Sequence, residues 1–240
     1  MAQGNAKTAL LVIDMQNDFI EPGGPMHVAG GQAIAPSVIK AVQVARQHGI
    51  TIIWAVREHD PLGRDVELFR RHFYIGGKEG PTAKGTKGAE LVEGLLIEEG
   101  DYKIVKTRFS AFFATHLHSF LQSNGFKSVV VVGVQTPNCV RQTVFDAVAL
   151  DYQPVMVIVD ATAAATPDIH TDGSCQLVFS PILAPIAPPA FSGGGPFSIA
   201  MVVRGVVVKF RLQHKKLLLM ACGNDKILPS LAMTVVIAMA

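Results

Sequence analysis

Cysteine is scarce in this chain. Only Cys139, Cys175 and Cys222 occur in 240 residues, and no two of them form a Cys-x-x-Cys pair. That excludes a disulfide framework and a thiolate zinc knot, and it suits a reducing compartment. Charge is sparse as well, at 17% of residues with a formal net charge of +2, too little for a nucleic-acid-binding surface. No clean membrane span is present, because the uncharged stretch 175–203 contains five prolines and three successive glycines. The polar, small-residue start at 1–7 does not read as a secretory leader, so the expected location is cytoplasmic. Aromatic residues make up 7% of the chain, with one tryptophan. What is present is a 49% hydrophobic composition, enough for one large domain, or one domain with an appendage.

The apolar residues fall into short runs separated by helical patterns. Residues 8–14 form a continuous apolar run ending in Asp14, as expected of a buried parallel strand. Residues 34–48 repeat apolar side chains at helical spacing and stop at Gly49. Further strands are predicted at 50–56, 101–108, 128–134 and 154–160, and helices at 64–73, 89–97, 112–123 and 139–150. Residues 61–88 are rich in glycine and long for a connection, so they read as a lid or substrate loop. This alternation predicts an α/β fold: a doubly wound, mostly parallel sheet with helices on both faces. Its active edge lies at the strand C-termini.

Three ionisable residues share that edge. Asp14 follows the first strand, Lys106 the third, and Cys139 sits where the fourth turns into a helix. A helix N-terminus and a nearby lysine are expected to bring a thiol below its usual pKa of about 8.5. A carboxylate beside it can take the thiol proton and return it to a leaving amine.

At these residues the chain resembles the isochorismatase-like cysteine hydrolases, which include nicotinamidases, isochorismatases and N-carbamoyl amidohydrolases. The resemblance rests on residues 13–19 (IDMQNDF), 106–112 (KTRFSAF) and 133–140 (GVQTPNCV), with 146–150 and 160–163 in support, and it covers residues 8–171. It implies Asp14 as base and then acid, Lys106 as electrostatic partner and Cys139 as nucleophile. It also implies a cis peptide at Val134–Gln135, with the N–H groups of Gln135 and Cys139 forming an oxyanion hole. The activity implied is cleavage of the C–N bond of a small amide, ureido or N-carbamoyl compound through a thioester. The alternatives are vinyl ether hydrolysis of the isochorismatase type, or an inactive member with a disrupted C-terminus.

Arg57, at the end of the second strand, is a candidate for a substrate carboxylate, as are Arg64, Arg70 and Arg71, while Phe19, Trp54 and Phe112 could wall the substrate site. Metal-binding nicotinamidases carry an Asp-x-His pair after the second strand. Here that place reads Arg57-Glu58-His59-Asp60, and His59, Asp60 and His72 read better as solvated surface, so neither metal nor cofactor is expected. The expected partner is a small molecule, not nucleic acid or membrane, with a homo-oligomer left open. From 172 onward the pattern changes. Residues 1–171 hold 15 basic and 17 acidic side chains, whereas 172–240 hold 6 and 2. The 172–240 segment is therefore expected to be an irregular tail outside the hydrolase domain.

Overall fold

A computed structural model describes residues 7–76, 79–176, 198–203, 206–213 and 216–220, with side chains up to 172. Five strands form the centre of one sheet: β1 (Lys7–Ile13), β2 (Thr51–Val56), β3 (Tyr102–Val105), β4 (Phe126–Val134) and β5 (Val155–Ala163). Their order is β3-β2-β1-β4-β5, and every neighbouring pair among them is parallel. The chain starts in the middle and winds outward in both directions, which places a crevice at the C-terminal ends of β1 and its neighbours.

Strand alternation sorts the core into two layers. Leu10 and Val12 of β1, Trp54 and Val56 of β2, and Val130 and Val132 of β4 join one cluster, packed with Ile34, Val38 and Val42 of α2 (Gly31–Gln47). Leu11 and Ile13, Ile53 and Ala55, and Val129 and Val131 join the other. That second layer is covered by α3 (Leu117–Ser123) and α4 (Arg141–Ala149), through Leu117, Leu121, Val144 and Ala147. For α2 the helical spacing in the sequence was sufficient. Its buried positions are the apolar ones of that pattern, and the helix ends before Gly49, which takes φ +65°. A short helix, α1 (Asn17–Ile20), follows β1, and a further one, α5 (Pro167–Gln176), follows β5.

Three expected helices differ. Residues 89–97 are not helical, because Gly94 turns back at φ +87° and the segment instead bonds to the end of β1, Val92 N–H to Met15 O at 3.0 Å. Residues 64–73 give a 3-10 helix over Leu68–Tyr74. The helix expected over 112–123 starts only at Leu117, after Ala114 adopts φ +52°. In the expected tail, Ser198–Val203, Val206–Gln213 and Lys216–Met220 form three further strands that extend the sheet antiparallel from β5. Their β-branched and apolar runs suit an unpaired sheet edge.

Candidate active site

Alternation along β2 and β3 continues past the strand ends and explains which side chains meet. Ile53 and Ala55 lie in the cysteine-side layer, and Arg57 is the next residue of that parity. Ile104 lies in the same layer, and Lys106 follows it, with its N–H bonded to Val56 O at 2.9 Å. Asp14 has the parity of Val12 and would belong to the α2 side, but its backbone turns to φ +51° as it leaves β1. The turn brings its carboxylate to Lys106, whose Nζ donates to Asp14 Oδ2 at 2.7 Å and to Arg108 O at 3.2 Å.

Cys139 is supplied by a tight turn of π type, Thr136–Val140, between β4 and α4. Gly133 makes the approach possible. It has φ +110°, and a Cβ there would lie 2.0 Å from Ile13 O. The following Val134–Gln135 peptide is cis. The Gln135 carbonyl accepts from Asn138 N–H and Val140 N–H at 3.1 and 3.2 Å, closing the turn. Thr143 Oγ1 donates to Cys139 O and accepts from Ala111 N–H, linking the turn to the 106–115 loop.

The site is dry. Asp14, Arg57, Lys106 and Cys139 are all buried, with Arg57 and Lys106 fully so. Among the described residues Asp14 Oδ1 has no hydrogen-bond partner, whereas Oδ2 is occupied by Lys106. The thiol pKa is raised, contrary to the expectation from sequence. Burial is the largest cause and the Asp14 charge adds to it, while Lys106 and Arg57 oppose them. Removing an ion from water outweighs what one helix end and two cations return.

Arg57 is the most connected group of the site. Its N–H donates to Gln16 Oε1 at 2.8 Å and its carbonyl accepts from Gln16 Nε2 at 2.7 Å, so Gln16 fixes the backbone. Its guanidinium donates to both oxygens of Glu67, at 3.1 and 3.3 Å, and Nη2 lies 3.9 Å from Cys139 Sγ. Nε is 3.8 Å from Asp14 Oδ2. Burial opposes its charge, but Cys139, Asp14 and Glu67 together keep it protonated. In the sequence Glu67 stands four residues before Arg71, at helical spacing within the helix expected over 64–73, which gave it no part in the site. It is the residue that reading missed, since nothing in a single sequence ties it to Arg57 ten positions away.

The other candidates divide. Phe112 lies in the cluster that holds Cys139, stacked on Tyr152 at 5.7 Å. Phe19 and Trp54 fall instead in the cluster on the α2 side, and the Trp54 indole donates to Asp101 Oδ2 at 2.8 Å. Arg70 reaches Glu67 at 3.6 Å, whereas Arg64 is exposed and paired with Asp60. After β2 the expectation of solvated side chains fails for His59, which is buried. His59 Nε2 faces Arg57 Nη1 at 3.2 Å, and burial followed by the Arg57 charge lowers the imidazole pKa. Asp60 is engaged by Arg64, and His72 bonds to Phe69 O. A cavity of about 430 Å³, lined by Val56, Glu58, Leu91, Leu95 and Lys103, borders the α2-side layer, and Cys139 does not line it. No helix among the described residues is long and apolar enough to cross a membrane.

Known proteins resemble this chain in sequence and in fold. Among curated sequences, a protein of Arabidopsis thaliana named a probable inactive nicotinamidase is 69% identical over 172 residues, covering 71% of this chain and 88% of its own. The ureidoacrylate amidohydrolase of Caulobacter vibrioides is 34% identical over 180 residues, covering 67% and 79%. Among solved structures, an isochorismatase family protein from Desulfovibrio vulgaris superposes with a TM-score of 0.70 at 40% identity, over 72% of this chain and 90% of its own. The Isochorismatase domain model matches residues 8–184, thirteen residues past the boundary expected from sequence. A match over that length, together with these relatives, places the chain in the isochorismatase family.

Proposed function

We propose that the protein is a cysteine amidohydrolase that cleaves the C–N bond of a small amide or ureido compound, with Asp14, Lys106 and Cys139 as its catalytic residues. The observation that carries this reading is a buried cluster of groups from three strand ends, in which Lys106 pairs with Asp14 and the Asp14 and Lys106 charges both act on the Cys139 thiol. Lys106 holds one oxygen of Asp14 and leaves the other without a partner, in the layer that contains Cys139. In the first step Asp14 Oδ1 takes the thiol proton as sulfur attacks the carbonyl carbon. The oxyanion formed is held by the N–H groups of Gln135 and Cys139. Asp14 then gives the proton to the departing nitrogen, the C–N bond breaks, and a thioester remains. Water, deprotonated by Asp14, attacks that thioester, and the acid leaves as sulfur recovers its proton. Lys106 stays charged throughout and keeps Asp14 oriented.

The relative named for ureidoacrylate supports a ureido acid as substrate. The test is turnover of a panel containing nicotinamide, N-carbamoyl acids, ureidoacrylate and isochorismate, with wild type and Cys139→Ala. Release of ammonia from a ureido or amide compound, its loss in Cys139→Ala, and an acyl-enzyme mass adduct on Cys139 are expected. Turnover that survives in Cys139→Ala, or turnover of isochorismate alone, would overturn the reading.

A further inference from the structure

We propose that the Glu67 carboxylate is an internal occupant of an anion site formed by Arg57 and Arg70, and that a carboxylate of the substrate must displace it. This deepens the amidohydrolase reading and rests on it for the word substrate. The anion site itself rests on geometry. Arg57 offers two nitrogens to the two oxygens of Glu67, the forked pairing that guanidinium makes with any carboxylate. Arg70 approaches the same carboxylate at 3.6 Å, and both guanidinium groups lie over the Phe109 ring, at 5.8 and 5.6 Å. Two cations and an aromatic wall thus face a single anion. Arg57 Nη2, which binds Glu67, is also the nitrogen 3.9 Å from Cys139 Sγ. A carboxylate seated where Glu67 sits therefore lies beside the attacking sulfur, at the spacing of a short acid whose amide or ureido carbonyl is a few bonds from its carboxylate.

The segment that carries Glu67 is built to release it. On the inner side, Val66 is buried, and Arg108 Nη1 donates to Asp65 O at 2.6 Å. Beyond Glu67 the 3-10 helix buries none of its residues, and Leu68 and Phe69 are 77% and 60% exposed. Outward rotation of Glu67 costs its own ion pair and little apolar burial, and an incoming carboxylate replaces that pair. A neutral amide can offer Arg57 a carbonyl oxygen but no charge to replace that of Glu67, so it displaces the carboxylate less readily than an anion does.

The experiment uses two alkylating probes of similar size and opposite character, iodoacetate and iodoacetamide, with the rate of Cys139 modification read by mass spectrometry. Modification does not depend on turnover, so an enzyme inactive on every substrate still reports on the site. In Glu67→Gln the rate ratio of iodoacetate to iodoacetamide is expected to rise by about tenfold or more over wild type, since the occupant no longer holds most molecules closed to anions. In wild type, propionate is expected to slow iodoacetamide labelling while propionamide does not, and Arg57→Lys should remove that protection. A ratio within about twofold of wild type in a folded Glu67→Gln variant would overturn the proposal. Should that variant not fold, equal protection of the wild type by propionate and propionamide would do so.

Discussion

At the scale of single residues, the site is a nearly neutral arrangement of buried charges. Asp14 is matched by Lys106 and Arg57 by Glu67, and Cys139 is left between the pairs. Breaking a buried pair by removing one partner typically costs about 3–5 kcal/mol, which gives this set a structural hold independent of catalysis. The thiol and Glu67 shift in opposite senses, and their pH dependence follows. The Cys139 pKa is raised above its ordinary value, so the neutral thiol stabilises the fold fully at pH below that ordinary value. That stability is lost as pH rises through the higher folded value. Burial alone would raise the Glu67 carboxyl, but Arg57 brings it below 4.5. Its contribution is therefore full above pH 4.5 and lost as pH falls through the lower folded value. Wild-type Cys139 is accordingly expected to react slowly with iodoacetamide at neutral pH and faster as pH rises toward its raised thiol pKa. A pH–rate profile of labelling checks this, and a thiol titrating below 8 would contradict it.

At the scale of elements, what was legible in the sequence was whatever long apolar runs control. β1, β2, β4 and β5, with Asp14 and Cys139 at their ends, could be placed because burial on both faces leaves an uninterrupted apolar run, whereas α2 was read from helical spacing and β3, with Lys106 after it, from its place in the strand–helix alternation. Short segments were not legible. Residues 89–97 have helical apolar spacing, but a backbone of φ +87° at Gly94 decides their course, and spacing carries no information about φ. Glu67 and Arg57 meet across a loop for the same kind of reason, because the contact is set by how 57–67 folds back and not by any period. Trp54 shows the converse. Its parity along β2 was readable, and following it would have assigned the indole to the α2 side, away from Arg57. Gly133 is the element-scale test. It must accept φ +110° and must have no Cβ where Ile13 O lies 2.0 Å away, so Gly133→Ala forces β4 off β1 at the point where the cysteine turn begins. The expected cost is about 3 kcal/mol or more, measured by urea unfolding, with loss of Cys139-dependent turnover even where the protein still folds.

At the scale of the whole molecule, the question is what covers the edges of the sheet. One edge of the parallel set is β3, which is four residues long and carries Lys103 paired with Glu58, a short and charged strand of the kind that resists pairing with another chain. The other edge is β5, nine residues long with Asp160 as its single charge. A strand of that length and composition would be a template for aggregation if left open. Ser198–Val203 lies against it, pairing Ile199, Ala200 and Met201 with Ile158, Val157 and Met156, and the two further strands extend the sheet outward. Within the segment read from composition as a tail, the strands Ser198–Val203, Val206–Gln213 and Lys216–Met220 therefore lie at this edge of the sheet, while residues 177–197 and 221–240 lie outside the described residues. The expected role of these strands is protective and not catalytic. Truncation after residue 184, where the family match ends, is expected to leave Asp14, Lys106 and Cys139 in contact and to uncover β5. Hydrogen exchange in peptides spanning 155–163 should then accelerate by about tenfold or more while the β1 and β4 amides stay slow, the pattern of a local opening and not of global unfolding. The truncated chain should also self-associate as its concentration rises, visible in light scattering. Unchanged exchange at 155–163 in a monomeric truncated protein would show that the added strands contribute nothing to the sheet, and that 198–220 lies outside the domain as its composition first suggested.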